Sequence, residues 1–368
     1  MKKLFTCLFA FIITLLSAAC NKHNPAPQPA PTVPDNTSLY FPPITGTDWQ
    51  TTTAASLKWD ETALNDLYPY LESQHTKAFI ILKNGKIVAE KYFDKFTADS
   101  LWYWASAGKT ITGLLIGIAQ QESLININNP TSKYLGAGWT SEPLAKENLI
   151  TIKNQLTMTT GLDDGVANND CTLPGCLVYK ADAGKRWAYH NAAYTILDKV
   201  IENASKQSFN TYFQQKIRDK TGMNGTWLKN ATYNNVYYSN ARSMARFGLL
   251  MLNKGKWDNT VLLADTAYFN SQVNTSQNLN LSYGYLTWLN GKSSSMVPQS
   301  QIVFPVGLIP NAPADMYAGL GSNDQKVYVV PSQKLVIIRM GNSAGGFSLA
   351  ASGFDNELWG KLKTVIKY

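Results

Sequence analysis

From Lys77 to Phe93 the chain reads KAFIILKNGKIVAEKYF: an apolar run, a break at Asn84 and Gly85, then alternation through Ile87, Val88 and Tyr92. That rhythm predicts a β-hairpin opening the folded body. From Ser106 to about Glu122, residues Ile111, Leu114, Leu115, Ile118 and Ala119 recur at helical spacing, which places Ser106 at a helix N-terminus. Helical patterns then predominate between Ile150 and about Asn253, in TIKNQLTMTTGL, AAYTILDKVIENASKQ, SFNTYFQQKIRDKTG and SNARSMARFGLLMLNKG. The last two close on glycine, as helices often do. Strand-like runs return on either side of Pro331 and Ser332 in QKVYVVPSQKLVIIRMG, and FDNELWGKLKTVIKY predicts a final helix. Strands at both ends with helices between them predict an α/β (α+β) body over 41–368. Its sheet layer comes from about 41–105 and 283–368, around a mostly helical insertion of about 106–282.

The first twenty residues, MKKLFTCLFAFIITLLSAAC, have a basic start, an apolar run and small residues before Cys20. This is the pattern of an export signal, too short for a permanent membrane span. The small residues before cysteine resemble a bacterial lipobox, with Ser17 where leucine is usual, which makes Cys20 the expected lipid anchor. Residues 21–40 are proline-rich and predict an extended tether. The expected location is therefore the cell envelope, periplasm or surface, with membrane contact through Cys20. The net charge of +8 is spread without a basic stripe, which argues against nucleic-acid binding. In an exported chain, Cys171 and Cys176 of NNDCTLPGCLVY predict a small loop disulfide. The three histidines, His23, His75 and His190, have no metal-ligand spacing, and no metal or organic cofactor is expected.

The remaining chemistry gathers at WYWASAGKTITG, where Ser106 precedes Lys109 by three residues. Residues so spaced share a helix face, and a helix N-terminus adds unpaired N–H groups and positive potential, which favour an oxyanion. A serine hydroxyl needs a base, and lysine serves only where burial lowers its pKa. A tyrosine is the natural third group, but Tyr-x-Asn begins at Tyr189, Tyr233, Tyr238 and Tyr268, so the pattern alone selects none.

The ordered strings SAGK, TIKNQLTMTTGL, GKRWAYHNAAYTILDKVIENASKQSFNTYFQQKI, GTW and SNARSMARFGLLMLNKG resemble the serine β-lactamase-related family. That family contains class C β-lactamases, D-alanyl-D-alanine carboxypeptidases, esterases and amidases. The resemblance runs from about Ala78 to Tyr368 and implies a β-lactamase/transpeptidase-like fold, an antiparallel sheet flanked by helices. It implies Ser106 as acyl-accepting nucleophile, Lys109 as its partner, Tyr189 as general base and then acid, and Asn191 as hydrogen-bond partner of the lysine or the substrate amide. His190 is expected to point away as a structural residue. The family's Lys/His-Thr/Ser-Gly strand corresponds to Gly319-Leu320-Gly321, so Gly319 stands in place of a cationic or imidazole side chain. The strand retains a backbone N–H, from Ser322, for an oxyanion hole completed by the Ser106 N–H.

Without that side chain a substrate carboxylate loses a partner, unless Arg242 or Arg246 replaces it. Asp163 and Asp164 are placed either at the cleft rim, where they favour a substrate amine, or as turn caps. The expected function is an envelope-associated serine hydrolase acting on a small ester, amide or peptide through a Ser106 acyl-enzyme, with ester or amide cleavage favoured. The alternatives are a penicillin-binding carboxypeptidase or β-lactamase, and a non-catalytic module that binds cell-wall material.

Overall fold

Two strands, β1 (Thr76–Lys83) and β2 (Lys86–Tyr92), form the predicted hairpin in the computed structural model, which describes residues 38–229, 234–345 and 351–368. The expected signal segment, Cys20 and most of the expected tether lie outside those residues, and the described residues form one compact unit. Asn84 and Gly85 turn the hairpin at φ 52° and 82°, the left-handed pair a two-residue turn requires. A Cβ on Gly85 would stand 1.9 Å from the Tyr40 carbonyl oxygen, so only glycine fits.

The C-terminal part supplies β3 (Trp288–Leu289), β4 (Tyr317–Gly321), β5 (Gln325–Val330) and β6 (Leu335–Gly341). One antiparallel sheet results, in the order β2-β1-β6-β5-β4-β3. The distant chain ends thus meet at β1 and β6. Both strands carry near-continuous apolar runs, which must be covered on two faces.

Helices supply those covers. In chain order they include α1 (Glu61–Ser73), α2 (Lys109–Gln121), α3 (Asn191–Thr195), α4 (Ala241–Leu252) and α5 (Gly353–Ile366). On one face α4 comes so close that a Cβ on Gly248 would lie 2.4 Å from a Val336 methyl. On the other, α5 buries Phe354, Leu358, Trp359, Leu362 and Val365, with α1 packed beside it.

A charged cluster lies between α5 and the sheet. Lys326 Nζ is 2.8 Å from Asp355 and 3.2 Å from Asp324, and all three side chains are fully buried. Arg339, also buried, donates to the carbonyls of Gln74, Asn323, Asp324 and Asn342. Two of those carbonyls belong to the turn between β4 and β5, so the cluster anchors the end of β4.

The inserted region differs from its helical expectation at two places. Thr226–Lys229 and Asn235–Ser239 are strands, joined by Trp102–Tyr103 in a three-stranded antiparallel sheet. Trp227 and Tyr237 pack their rings 5.3 Å apart behind it, a tertiary contact that outweighs weak local preference. Helix α2 is buried at every residue from Lys109 to Ala119, so it is a central helix of the molecule.

Candidate active site

Ser106 sits in a tight 3-10 turn, Ala105–Gly108, that runs directly into α2. Ala105 adopts φ 47°, a left-handed conformation that costs a non-glycine residue energy and sharpens the bend from β-like chain into helix. Lys109 is the first residue of α2 and only 1% exposed. Its Nζ lies 2.9 Å from Ser106 Oγ and 2.9 Å from Asn191 Oδ1. The Tyr189 ring lies 4.9 Å from Lys109 Nζ, and its phenol is close enough to the Ser106 and Trp288 side chains to interact with both. The structure thus brings Ser106, Lys109, Tyr189 and Asn191 into one constellation.

Tyr189 and Asn191 reach it because they flank the start of α3. His190, between them, turns away: it is fully buried, and its Nδ1 accepts from the Ala193 N–H as the helix cap. Burial pushes this imidazole down to about 4, so it is neutral at ordinary pH. Tyr189 stacks on Trp288 at 5.8 Å and meets the edges of Tyr283 and Trp187. Those rings leave the phenol little freedom.

Burial acts oppositely on the two titratable members. It pushes Lys109 down to about 7, because the ammonium has lost its water, with Asp170 pulling the other way. It raises Tyr189 well above its usual value, against smaller lowering by the Ser106 and Trp288 side chains. Tyr194 adds a ring face 4.2 Å from Lys109 Nζ and Tyr189 one at 4.9 Å. Near neutral pH the constellation therefore holds a half-deprotonated amine beside a protonated phenol.

Strand β4 is laid against the serine turn. A Cβ on Gly319 would lie 3.0 Å from the Ala107 carbonyl oxygen and 3.0 Å from Thr110 Oγ1; one on Gly321 would lie 2.4 Å from the Trp104 carbonyl oxygen. Both glycines permit this approach, and Ser322 follows at the strand end. Cys171 and Cys176 form a disulfide with Cα atoms 5.8 Å apart. Asp163 accepts from the Gly165 N–H and pairs with Lys180 at 3.2 Å, contacts that hold its carboxyl below the usual range. Asp164 pairs with Arg186 at 2.6 Å.

Neither arginine considered for a substrate carboxylate is available. Arg242 grips Glu90 with two nitrogens, and Arg246 donates to the Thr221 and Pro43 carbonyls between the rings of Trp49 and Trp257. Sequence reasoning missed Trp288, Tyr194, Asn169 and Asp170. The last two carried a usable signal, an Asn-Asn-Asp run directly before a loop cysteine. Among the described residues no group of three His, Cys, Asp or Glu could hold a metal, and no helix is long and apolar enough to cross a membrane.

A family model described as Beta-lactamase matches residues 71–358. Among curated relatives, a Teichoic acid D-alanine hydrolase of Staphylococcus aureus is 31% identical over 161 residues, 41% of this chain and 40% of that protein. The chain thus matches about two fifths of the length of that relative. Among solved structures, EstA from Arthrobacter nitroguajacolicus Rue61a has a TM-score of 0.62 at 15% identity, covering 83% of this chain and 96% of that one. FmtA from Staphylococcus aureus has a TM-score of 0.57 at 18% identity, covering 87% and 93%. At such identities the structural likeness shows the fold, β-lactamase/transpeptidase-like, as the sequence resemblance implies.

Proposed function

We propose, since this chain belongs to the beta-lactamase family of serine hydrolases, that it cleaves esters at the cell envelope through an acyl-enzyme on Ser106. The observation that carries the reading is the buried Lys109 amine 2.9 Å from Ser106 Oγ. Ser106 Oγ attacks the ester carbonyl carbon while its proton passes to Lys109 Nζ. The carbonyl oxygen takes the negative charge, facing backbone N–H groups of Ser106 and Ser322. The carbon–oxygen bond to the alcohol then breaks, and Tyr189 hands its proton to the leaving oxygen and recovers one from Lys109. Water repeats the sequence on the acyl-serine and frees the acid.

The base here is Lys109 rather than the tyrosine expected from family resemblance. A phenol whose pKa burial raises is a poor proton acceptor at neutral pH, whereas a lysine lowered to about 7 is half deprotonated there. Asn191 accepts from the amine and orients it.

Charge guides the substrate class. Gly319 carries no cationic side chain, and Arg242 and Arg246 are engaged elsewhere, so none of these three positions serves a β-lactam or peptide carboxylate. Asp170 is close enough to act electrostatically on Lys109. An acyl group bearing a free amine fits such a site. A D-alanyl ester has that chemistry, and the staphylococcal relative bears the name of a hydrolase of such groups. The lipobox-like Cys20 and the tether support an anchored envelope location.

A fluorophosphonate probe tests the nucleophile: wild type is expected to be labelled and Ser106→Ala not. Short-chain p-nitrophenyl esters are expected to turn over much faster than nitrocefin. Brisk nitrocefin hydrolysis with inert esters would reverse the substrate assignment.

A further inference from the structure

The loop between Asp164 and Cys176 enters the site from outside the elements that carry the nucleophile. Its Asn169 accepts from the Asn191 N–H at 3.4 Å through Oδ1, and its own carbonyl accepts from the Ala192 N–H at 2.9 Å. Its Nδ2 donates to the Tyr189 carbonyl at 3.5 Å and the Asp164 carbonyl at 3.4 Å. With Ala193 N–H bonded to His190, the first N–H groups of α3 are satisfied, two of them by a residue far upstream. Helix starts leave such donors unpaired within the helix, so whatever bonds them sets where the helix begins. Here Asn169 holds both peptide groups that flank His190. The Tyr189 and Asn191 side chains take their directions from those groups.

Several of these bonds are long, so the frame depends on the loop being held in place. The Cys171–Cys176 bridge closes the loop two residues beyond Asn169, and the Cys171 N–H bonds back to the Asn168 carbonyl at 3.2 Å. Between Asn169 and Cys171 lies Asp170, which acts electrostatically on Lys109. The groups facing Lys109 are Ser106 from its turn, Asn191 and Tyr194 from α3, Tyr189 just before it, and Asp170 from this loop.

We propose that Asn169 is a positioning residue for the hydrolase reaction and that the Cys171–Cys176 disulfide is the clasp that keeps it in place. With the bridge closed, the loop aligns Tyr189 and Asn191 with Ser106 and keeps Asp170 near Lys109. Opening it takes two electrons and two protons from a dithiol, which leaves as its own disulfide while both cysteines become thiols. The site then loses alignment and charge together. This inference rests on the serine-hydrolase reading above.

The test measures kcat, KM and the pH profile of p-nitrophenyl ester hydrolysis for wild type, Asn169→Ala, Asn169→Asp, Asp170→Asn and the double variant Cys171→Ser/Cys176→Ser. Wild type is also assayed with and without dithiothreitol, with near-ultraviolet circular dichroism reporting the fold. Asn169→Ala is expected to lower kcat about 30-fold with little change in KM, as a small misplacement of reacting groups does. Asn169→Asp keeps the acceptor for the Asn191 N–H and recovers part of the loss. Opening the bridge by either route lowers kcat and moves the acid limb to lower pH, the direction in which Asp170→Asn moves it. The sign follows because removing a carboxylate weakens the hold of Lys109 on its proton.

Wild-type kcat and an unmoved acid limb after bridge opening would overturn the proposal. So would a loss of kcat that merely tracks loss of fold. If Asn169→Ala does not fold, the dithiothreitol comparison on the unaltered chain decides. Failure of a fluorophosphonate to label wild type at Ser106 would instead sink the hydrolase reading.

Discussion

Under the proposed mechanism, Lys109 concentrates the chemistry and its cost in one side chain. Its folded pKa of about 7 lies far below that of a free lysine. Between those values the unfolded chain holds the proton and the folded chain does not, so stability rises with pH across the window. Lys109→Met is therefore expected to stabilise the fold by up to about 4 kcal/mol below pH 7, the gain fading toward pH 10, while abolishing ester turnover. Urea titrations at several pH values check it; an equal gain at pH 6 and pH 10 would contradict the assignment. In the intact enzyme the acid limb of kcat/KM should fall near pH 7, since the amine must be free to accept the serine proton. Tyr189→Phe removes the proton donor alone and should lower kcat by about 10²- to 10⁴-fold. Ser106 and Lys109 are legible in the sequence because helix geometry brings residues three apart together. Tyr189 is not, since four Tyr-x-Asn pairs look alike until family order distinguishes them.

In the proposed reaction, the separation between strand β4 and the serine turn sets the oxyanion geometry. The two glycines let the backbones meet, and Gly321 is the tighter position, its absent Cβ lying 2.4 Å from a carbonyl oxygen. Gly321→Ala must push the strand away, and kcat/KM for a p-nitrophenyl ester is expected to fall about 100-fold, as misplacement of this kind commonly costs. An alanine variant as active as wild type would show that the strand end lends nothing to the oxyanion. The hairpin, the paired C-terminal strands and the final helix were all readable from pattern. The short strands inside the helical region were not, because runs as brief as Thr226–Lys229 form only when Trp227 has Tyr237 to pack against.

Across the whole molecule, the charges beneath the sheet tie the C-terminal helix to the strand that borders the site. Asp355→Ala would leave Lys326 buried with fewer partners and strip Tyr328 of its acceptor. Breaking one side of such a pair costs about 3–5 kcal/mol, visible as a lowered urea midpoint. Replacing Asp355 and Lys326 together with apolar residues should recover much of it; a double variant no better than the single one would argue against a charge penalty. The linear chain by itself determined the two-ended sheet and the spacing of Ser106 and Lys109 on one helical turn, because apolar periodicity and helical spacing are local properties. Only the tertiary structure decided that Lys109 loses its water, that Arg242 and Arg246 are engaged away from the constellation, and that Asp170 acts on the lysine. Desolvation and long-range electrostatics depend on which distant segments come together, and no local spacing encodes that.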